Sequence, residues 1–190
     1  MSLLEIAGTV FGLVNIVMLV RRSVWNFPAA MVMVSCIAVV LFEARLYAEA
    51  GLQVFFFVVN AWGWWLWSEV KDSHNQVPVR WMGWRSRIIW AIATGVVSIG
   101  LGLALSRWTN AALPMADSVV TGMSVAAQFL LNFRRIENWV LWIVIDVASI
   151  ALYVIRDLHL LAGLYVVFLV LSVLGLVEWT KADRRGEAPA

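Results

Sequence analysis

Covalent, metal and phosphate chemistry find little to work with in this chain. Cys36 is its one cysteine, so no disulfide can form within it. The two histidines, His74 and His159, lie far apart and have no cysteine at ligand spacing, which argues against a structural zinc site. There is no glycine-rich phosphate loop and no basic stripe of the kind nucleic acid requires. No cofactor, metal or catalytic group is therefore expected, and no nucleic-acid partner. Charge is scarce as well: 14% of the 190 residues are Asp, Glu, Lys or Arg, against about 25% in soluble domains. Apolar residues fill the space at 63%, where soluble domains hold about 45–50%. The chain reads as an integral membrane protein.

Apolar runs long enough to cross a bilayer fall at Leu3–Val20, Pro28–Leu46, Ala50–Glu69, Ile88–Ser106, Pro114–Phe133, Asn138–Arg156 and His159–Thr180. Helix is the expected form of each, because backbone exposed to lipid must satisfy its own hydrogen bonds. The first run is a span and not a signal peptide: Glu5 stands where a basic segment would, and Arg21 and Arg22 follow instead of preceding. Connections are short except Lys71–Arg87, and the charged tail Lys181–Ala190 reads as mobile. Basic residues set the orientation. Arg21, Arg22, Lys71, Arg80, Arg85, Arg87, Arg134, Arg135, Lys181, Arg184 and Arg185 fall on one side, and only Arg45, Arg107 and Arg156 on the other. The first side is predicted to be cytoplasmic, with the N-terminus outside and the C-terminus inside.

Displaced by 112 residues, the two ends of the chain align without a gap. Thr9 falls on Thr121, Arg22 on Arg134, Asn26 on Asn138, Leu46 on Leu158, Phe56 on Phe168, Gly63 on Gly175 and Trp67 on Trp179. Ala50-Gly51-Leu52 falls on Ala162-Gly163-Leu164. Matches of Leu or Val between apolar helices carry little weight, but those of Arg, Asn, Gly and Trp are harder to obtain by chance. The pattern predicts two parallel three-helix repeats, 1–70 and 107–180, joined by a loop and linker helix over 71–106, with a tail at 181–190. This is the SWEET-like 3+1+3 plan, in which the site lies near the midplane between the halves. Gly95, Gly100, Gly102 and Ala104 suit the linker helix to close packing between them.

Polar residues then mark the interior. Asp146 sits midway along the sixth span, where a charge costs roughly 2.5–3.5 kcal/mol on insertion scales. Trp139 and Trp142 precede it at spacings that put all three on one helix face. Two indoles beside a buried carboxylate suit a flat, cationic solute. Gln53, Asn60, Trp64 and Trp67 form a face of the third span, and Asp117, Thr121, Ser124 and Gln128 a face of the fifth. Ser149, Tyr153 and Tyr165 add to the polar interior. Each has a plainer reading. Asn, Gln and Ser serve as interhelical glue at about 0.6 kcal/mol each, and tryptophans near span ends, Trp139 among the candidates, serve as interfacial anchors. For Asp146 the plain reading is a structural hydrogen bond to Asn60 or Gln128. An intramembrane hydrolase would need a second carboxylate or a Ser-His pair at the same depth. Asp117 and His159 do not supply it.

The segments Ala48–Trp67 (AEAGLQVFFFVVNAWGWWLW) and Glu137–Tyr153 (ENWVLWIVIDVASIALY) resemble the Pnu-type vitamin transporters, above all the PnuC or nicotinamide riboside branch. The resemblance runs through all seven spans. Its most specific element is Trp-x-x-Trp-x-x-x-Asn/Asp at Trp139, Trp142 and Asp146, and Asn26-Phe27-Pro28 is similar to the family's Asn-Trp-Pro. It implies facilitated diffusion of nicotinamide riboside into a bacterial cytoplasm across the inner membrane, with a cytoplasmic kinase trapping the solute by phosphorylation. It assigns the substrate site to Trp139, Trp142 and Asp146, and more weakly to Gln53, Asn60 and Trp64; Thr121 and Gln128 join from the polar face of the fifth span. A homo-oligomer, with a trimer as one form, is expected within the lipid bilayer. Because the last motif position is Asp, thiamine and then riboflavin stand as alternative solutes. A SWEET-like sugar transporter shares the topology but needs no buried anion.

Overall fold

The computed structural model describes residues 3–43, 45, 47–108, 114–155, 157 and 159–185. They form seven helices: α1 (Leu3–Val20), α2 (Asn26–Glu43), α3 (Tyr47–Ser68), α4 (Trp84–Trp108), α5 (Pro114–Asn132), α6 (Glu137–Ile155) and α7 (His159–Arg184). The protein is an all-α membrane protein. Five helices (α1, α2, α4, α6, α7) are long and apolar enough to cross a bilayer by length and composition alone. The two others, α3 and α5, carry the polar residues Gln53, Asn60, Asp117, Gln128 and Asn132, which lower their hydropathy.

Most helix ends lie within three residues of the sequence reading, and two boundaries differ by four. The helix α4 starts at Trp84, four residues before Ile88, because its first turn closes with Arg87 N donating to Gly83 O at 3.1 Å. At the other end of the chain α7 runs on to Arg184, so the first residues of the expected tail are helical. Lys181 bonds Glu178 at 2.8 Å within that last stretch, and the cations Lys181 and Arg184 suit the negative end of the helix dipole. Leu46, Leu158, Arg156 and the tail beyond residue 185 lie outside the described residues.

Two compact units divide the chain. The first holds residues 1–79, 132–134 and 174–190. Within it α2 packs against both α1 and α3. Small residues make the α1–α2 approach possible: Gly8 faces Cys36 and Ile37, and Gly12 faces Met33. At the far end of α3 the Trp67 ring is fully buried, edge-on to Phe27 at 5.0 Å and 6.0 Å from Trp179. The indole N–H of Trp67 donates to Asn132 O at 3.1 Å, and that of Trp179 to Leu19 O at 3.0 Å. Each therefore satisfies a carbonyl in the last turn of a helix, α5 and α1 respectively, that has no intrahelical donor. Trp67 is a packing residue here, although the sequence placed it on the polar face of α3. Trp62, which the sequence left off that face, packs edge-on to Phe133 at 5.6 Å.

The second unit holds residues 80–131 and 135–173. Here α4 meets α5 where Gly102 faces Met115 and Ser118, and where Gly122 faces Ser98. Gly95 and Gly100, expected on the same packing seam, have nothing within 4 Å beyond their own helix. Ile89, Ile92 and Val96 of α4 are exposed, an apolar surface suited to lipid and not to water. The helices α6 and α7 are joined by a hydrogen bond from Ser172 to Asp146 and by the tilted ring pair Tyr153–Tyr165 at 5.2 Å.

Local geometry recurs at the 112-residue offset. Arg22 and Arg134 both take left-handed backbone, with φ of 59° and 58°, and so do Arg45 and Asp157, at 62° and 56°. The first pair caps α1 and α5: Ser23 N donates to Met18 O, and Arg135 N to Leu130 O, the six-to-one bond of a Schellman cap. In the following turns Asn26 Nδ2 donates to Ser23 O at 2.7 Å and Asn138 Nδ2 to Arg135 O at 2.6 Å. The connection between α3 and α4 bonds both turns: Val24 N donates to Asn75 O in the first unit, and Ile136 N to Arg80 O in the second. It is an ordered strap, held internally by Asp72 Oδ1, which accepts from the backbone N–H groups of His74 and Gln76.

Candidate functional site

The site is built outward from α6, in the second unit. Its first turn is fixed by the buried Asn138 and by Glu137, whose Oε1 accepts from Met82 N at 2.9 Å and from Arg87 Nε at 2.7 Å. Arg87 is in turn stacked over the Trp81 ring at 5.2 Å. From this anchored end the helix carries Trp139, Trp142 and Asp146 along one face. Trp139 is 1% exposed, Trp142 half-buried and Asp146 4% exposed. An anchor at the lipid–water boundary would leave an indole in contact with lipid, so the burial of Trp139 sets that reading aside.

Asp146 lies midway between the ends of α6, within an apolar span. Its hydrogen-bond partner is the hydroxyl of Ser172 on α7, which donates to Oδ2 at 2.9 Å. The sequence reading named Asn60 or Gln128 as candidate partners and did not single out Ser172. The signal was present: Ser172 lies 112 residues after Asn60, a position that was singled out. An ionised carboxylate has about four acceptor positions, and Ser172 fills one of them. Two turns further along α6 stands Tyr153 with Tyr165 of α7 against it. The carboxylate thus has an indole on one side along the helix and a tyrosine pair on the other.

The other candidates sit on two helices. On α5, Gln128 is buried and Thr121 half-buried, while Ser124 returns its hydroxyl to Val120 O of its own helix at 2.9 Å. On α3, in the first unit, Asn60 is 5% exposed and donates to Phe56 O at 2.8 Å, Gln53 is half-buried and Trp64 is 37% exposed. The structure thus joins Asp146 to α7 through Ser172, and holds Gln53, Asn60 and Trp64 together on α3. None of the eight candidates is basic. Among the described residues no group of His, Cys, Asp and Glu is placed to hold a metal ion. The α6–α7 pairing offers a carboxylate, an indole and phenols, chemistry that receives a cationic aromatic ring and hydroxyls and does not receive a phosphate.

Comparison with known proteins finds a family of membrane transporters. The family model described as nicotinamide mononucleotide transporter matches residues 2–181. The nicotinamide riboside transporter PnuC of Escherichia coli K12 is 26% identical over 210 residues, covering 97% of this chain and 87% of that protein. The riboflavin/roseoflavin transporter RibM of Streptomyces davaonensis is 24% identical over 191 residues, covering 97% of this chain and 88% of its own. Among solved structures, the crystal structure of the vitamin B3 transporter PnuC superposes with a TM-score of 0.80 at 26% identity, covering 96% of this chain and 82% of that one.

Proposed function

The chain belongs to the nicotinamide mononucleotide transporter family, and from that premise we propose that it carries nicotinamide riboside across the membrane by facilitated diffusion. The observation that carries this reading is Asp146, a carboxylate buried midway along an apolar helix with a hydroxyl as its partner. The pyridinium of the riboside supplies the missing positive charge. Stacked on Trp142 it gains about 2 kcal/mol as a desolvated cation–π contact. Thr121 and Gln128, in the same unit as Asp146, are the candidates for the ribose hydroxyls and the carboxamide, and Gln53, Asn60 and Trp64 stand as further candidates on α3.

The same electrostatics choose between the riboside and its phosphorylated form. At about 8 Å from Asp146, with an effective dielectric constant of about 20, each unit of negative charge on a phosphate is repelled by about 2 kcal/mol. A phosphorylated product is therefore a poor solute for the return journey, which fits trapping by a cytoplasmic kinase. Riboflavin is the second reading, favoured by the likeness to RibM; its neutral ring gains nothing from Asp146. Thiamine, with a cationic thiazolium, would gain a similar amount. Movement of the solute follows from rocking of two parallel three-helix repeats about the midplane site, with the N-terminus outside and association into a homo-oligomer. The paired left-handed caps and the paired Asn26 and Asn138 bonds support the repeat.

Tryptophan fluorescence of the purified protein, titrated with nicotinamide riboside, thiamine and riboflavin, tests the assignment. Saturable quenching by the riboside at the lowest concentration is expected, and Asp146→Leu abolishes it. Quenching led by riboflavin, or unchanged in Asp146→Leu, refutes it.

A further inference from the structure

Several hydroxyls inside these helices turn back on their own helix. Thr9 donates to Glu5 O, Ser35 to Met31 O, Ser118 to Met115 O and Ser124 to Val120 O, the local bond that short hydroxyl side chains ordinarily make in a helix. Ser172 is different. Its hydroxyl gives up the local bond and reaches across to Oδ2 of Asp146 at 2.9 Å, and both residues are 4% exposed. The matching positions in the first half of the chain, 112 residues earlier, are Asn60 and Val34. There Asn60 returns its amide to Phe56 O of its own helix, and an apolar Val34 stands where Asp146 would be. The carboxylate that Ser172 meets therefore has no counterpart at the matching position, where Val34 stands.

We propose that Ser172 is a positioning residue that sets the preference of the site for a cationic over a neutral ring, an inference that rests on the riboside reading above. By holding Oδ2 it fixes the rotamer of Asp146 and leaves Oδ1, which takes no bond from the described residues, for the solute. A carboxylate so held meets a pyridinium without first paying to reorganise. Without the hydroxyl, Asp146 turns freely, and the advantage of positive charge is lost.

The test measures half-saturation for nicotinamide riboside and for riboflavin, by fluorescence quenching, in wild type, Ser172→Ala, Ser172→Thr, Asp146→Asn and the double variant Ser172→Ala/Asp146→Asn. Loss of one hydrogen bond to a charged group predicts about tenfold weaker riboside binding in Ser172→Ala. Riboflavin binding is expected to stay within about twofold, so that the ratio of the two falls. Ser172→Thr keeps the hydroxyl and restores the ratio. In the Asp146→Asn background, Ser172→Ala adds no further loss. If Ser172→Ala weakens both ligands equally, or leaves the ratio at the wild-type value, the inference is overturned while the riboside reading survives. A wild type that does not bind the riboside overturns both. Should Ser172→Ala fail to fold, Ser172→Cys, with its weaker donor, is expected to show a ratio between those of wild type and Asp146→Asn; the wild-type ratio in that variant also overturns the inference.

Discussion

Gly63 lies one turn before Trp67 on α3, and adding one methyl group there probes how tightly the first unit is assembled. A Cβ at this position would lie 2.5 Å from Asn132 Oδ1 and 2.5 Å from Phe27 Cε1. Neither neighbour can step aside at little cost. Phe27 is fully buried against Trp67, and Asn132 is held by its bond to Val59 O at 2.9 Å. Overpacking of this kind costs about 1–3 kcal/mol, and loss of the Asn132 bond adds about 1 kcal/mol. The helix preference of alanine over glycine returns about 1 kcal/mol. Gly63→Ala is therefore expected to lose about 1–3 kcal/mol net, a drop of roughly 2–10 °C in melting temperature for a chain of this size. Gly51→Ala is the control on the same helix, since nothing lies within 4 Å of a Cβ there. It should melt with the wild type or slightly above it. Thermal melts of the detergent-purified variants decide the matter: Gly63→Ala melting level with Gly51→Ala would refute the packing argument.

Trp139→Ala and Trp142→Ala should separate folding from binding. Emptying the space of a buried tryptophan costs about 3–5 kcal/mol, so Trp139→Ala is expected to lower the yield of monodisperse protein; half-buried Trp142→Ala is expected to purify normally and bind the riboside about thirtyfold more weakly, the loss of a contact worth about 2 kcal/mol. Size-exclusion profiles and titrations check both. Trp179→Phe keeps a ring but removes one of two donors to Leu19 O, which still accepts from Arg22 N at 2.9 Å, so the loss is that of a single hydrogen bond, about 1 kcal/mol. Its melting temperature should fall while the half-saturation for the riboside is unchanged. Glu137→Gln weakens the bonds to Arg87 and Met82 at the start of α6; faster proteolysis within 71–87 is the expected readout.

Much of the fold was legible because apolar run length is a strong signal. The first span was placed at Leu3–Val20, the bounds of α1. Boundaries were missed where charge misled: Lys181 and Arg184 read as tail, yet they suit the last turn of α7. Of the linker-helix glycines expected to allow close packing, Gly102 faces close neighbours while Gly95 and Gly100 do not. Glycine content alone cannot say which way a helix turns. Helical spacing grouped Trp139, Trp142 and Asp146, because residues on one helix share a face by arithmetic. It could not supply Ser172, since the partner of a side chain across a helix pair depends on the rotation of both helices. Trp67 was misplaced for a related reason: its spacing puts it in line with Asn60, but its N–H finds a helix-end carbonyl, Asn132 O.

Uptake of labelled nicotinamide riboside into proteoliposomes, with no ion gradient and no nucleotide, addresses the central claim most directly. Saturable entry that stops when inside and outside concentrations are equal, and that Asp146→Leu removes, is the predicted result. Entry no faster than into empty liposomes, or riboside uptake undiminished in Asp146→Leu, would contradict the account.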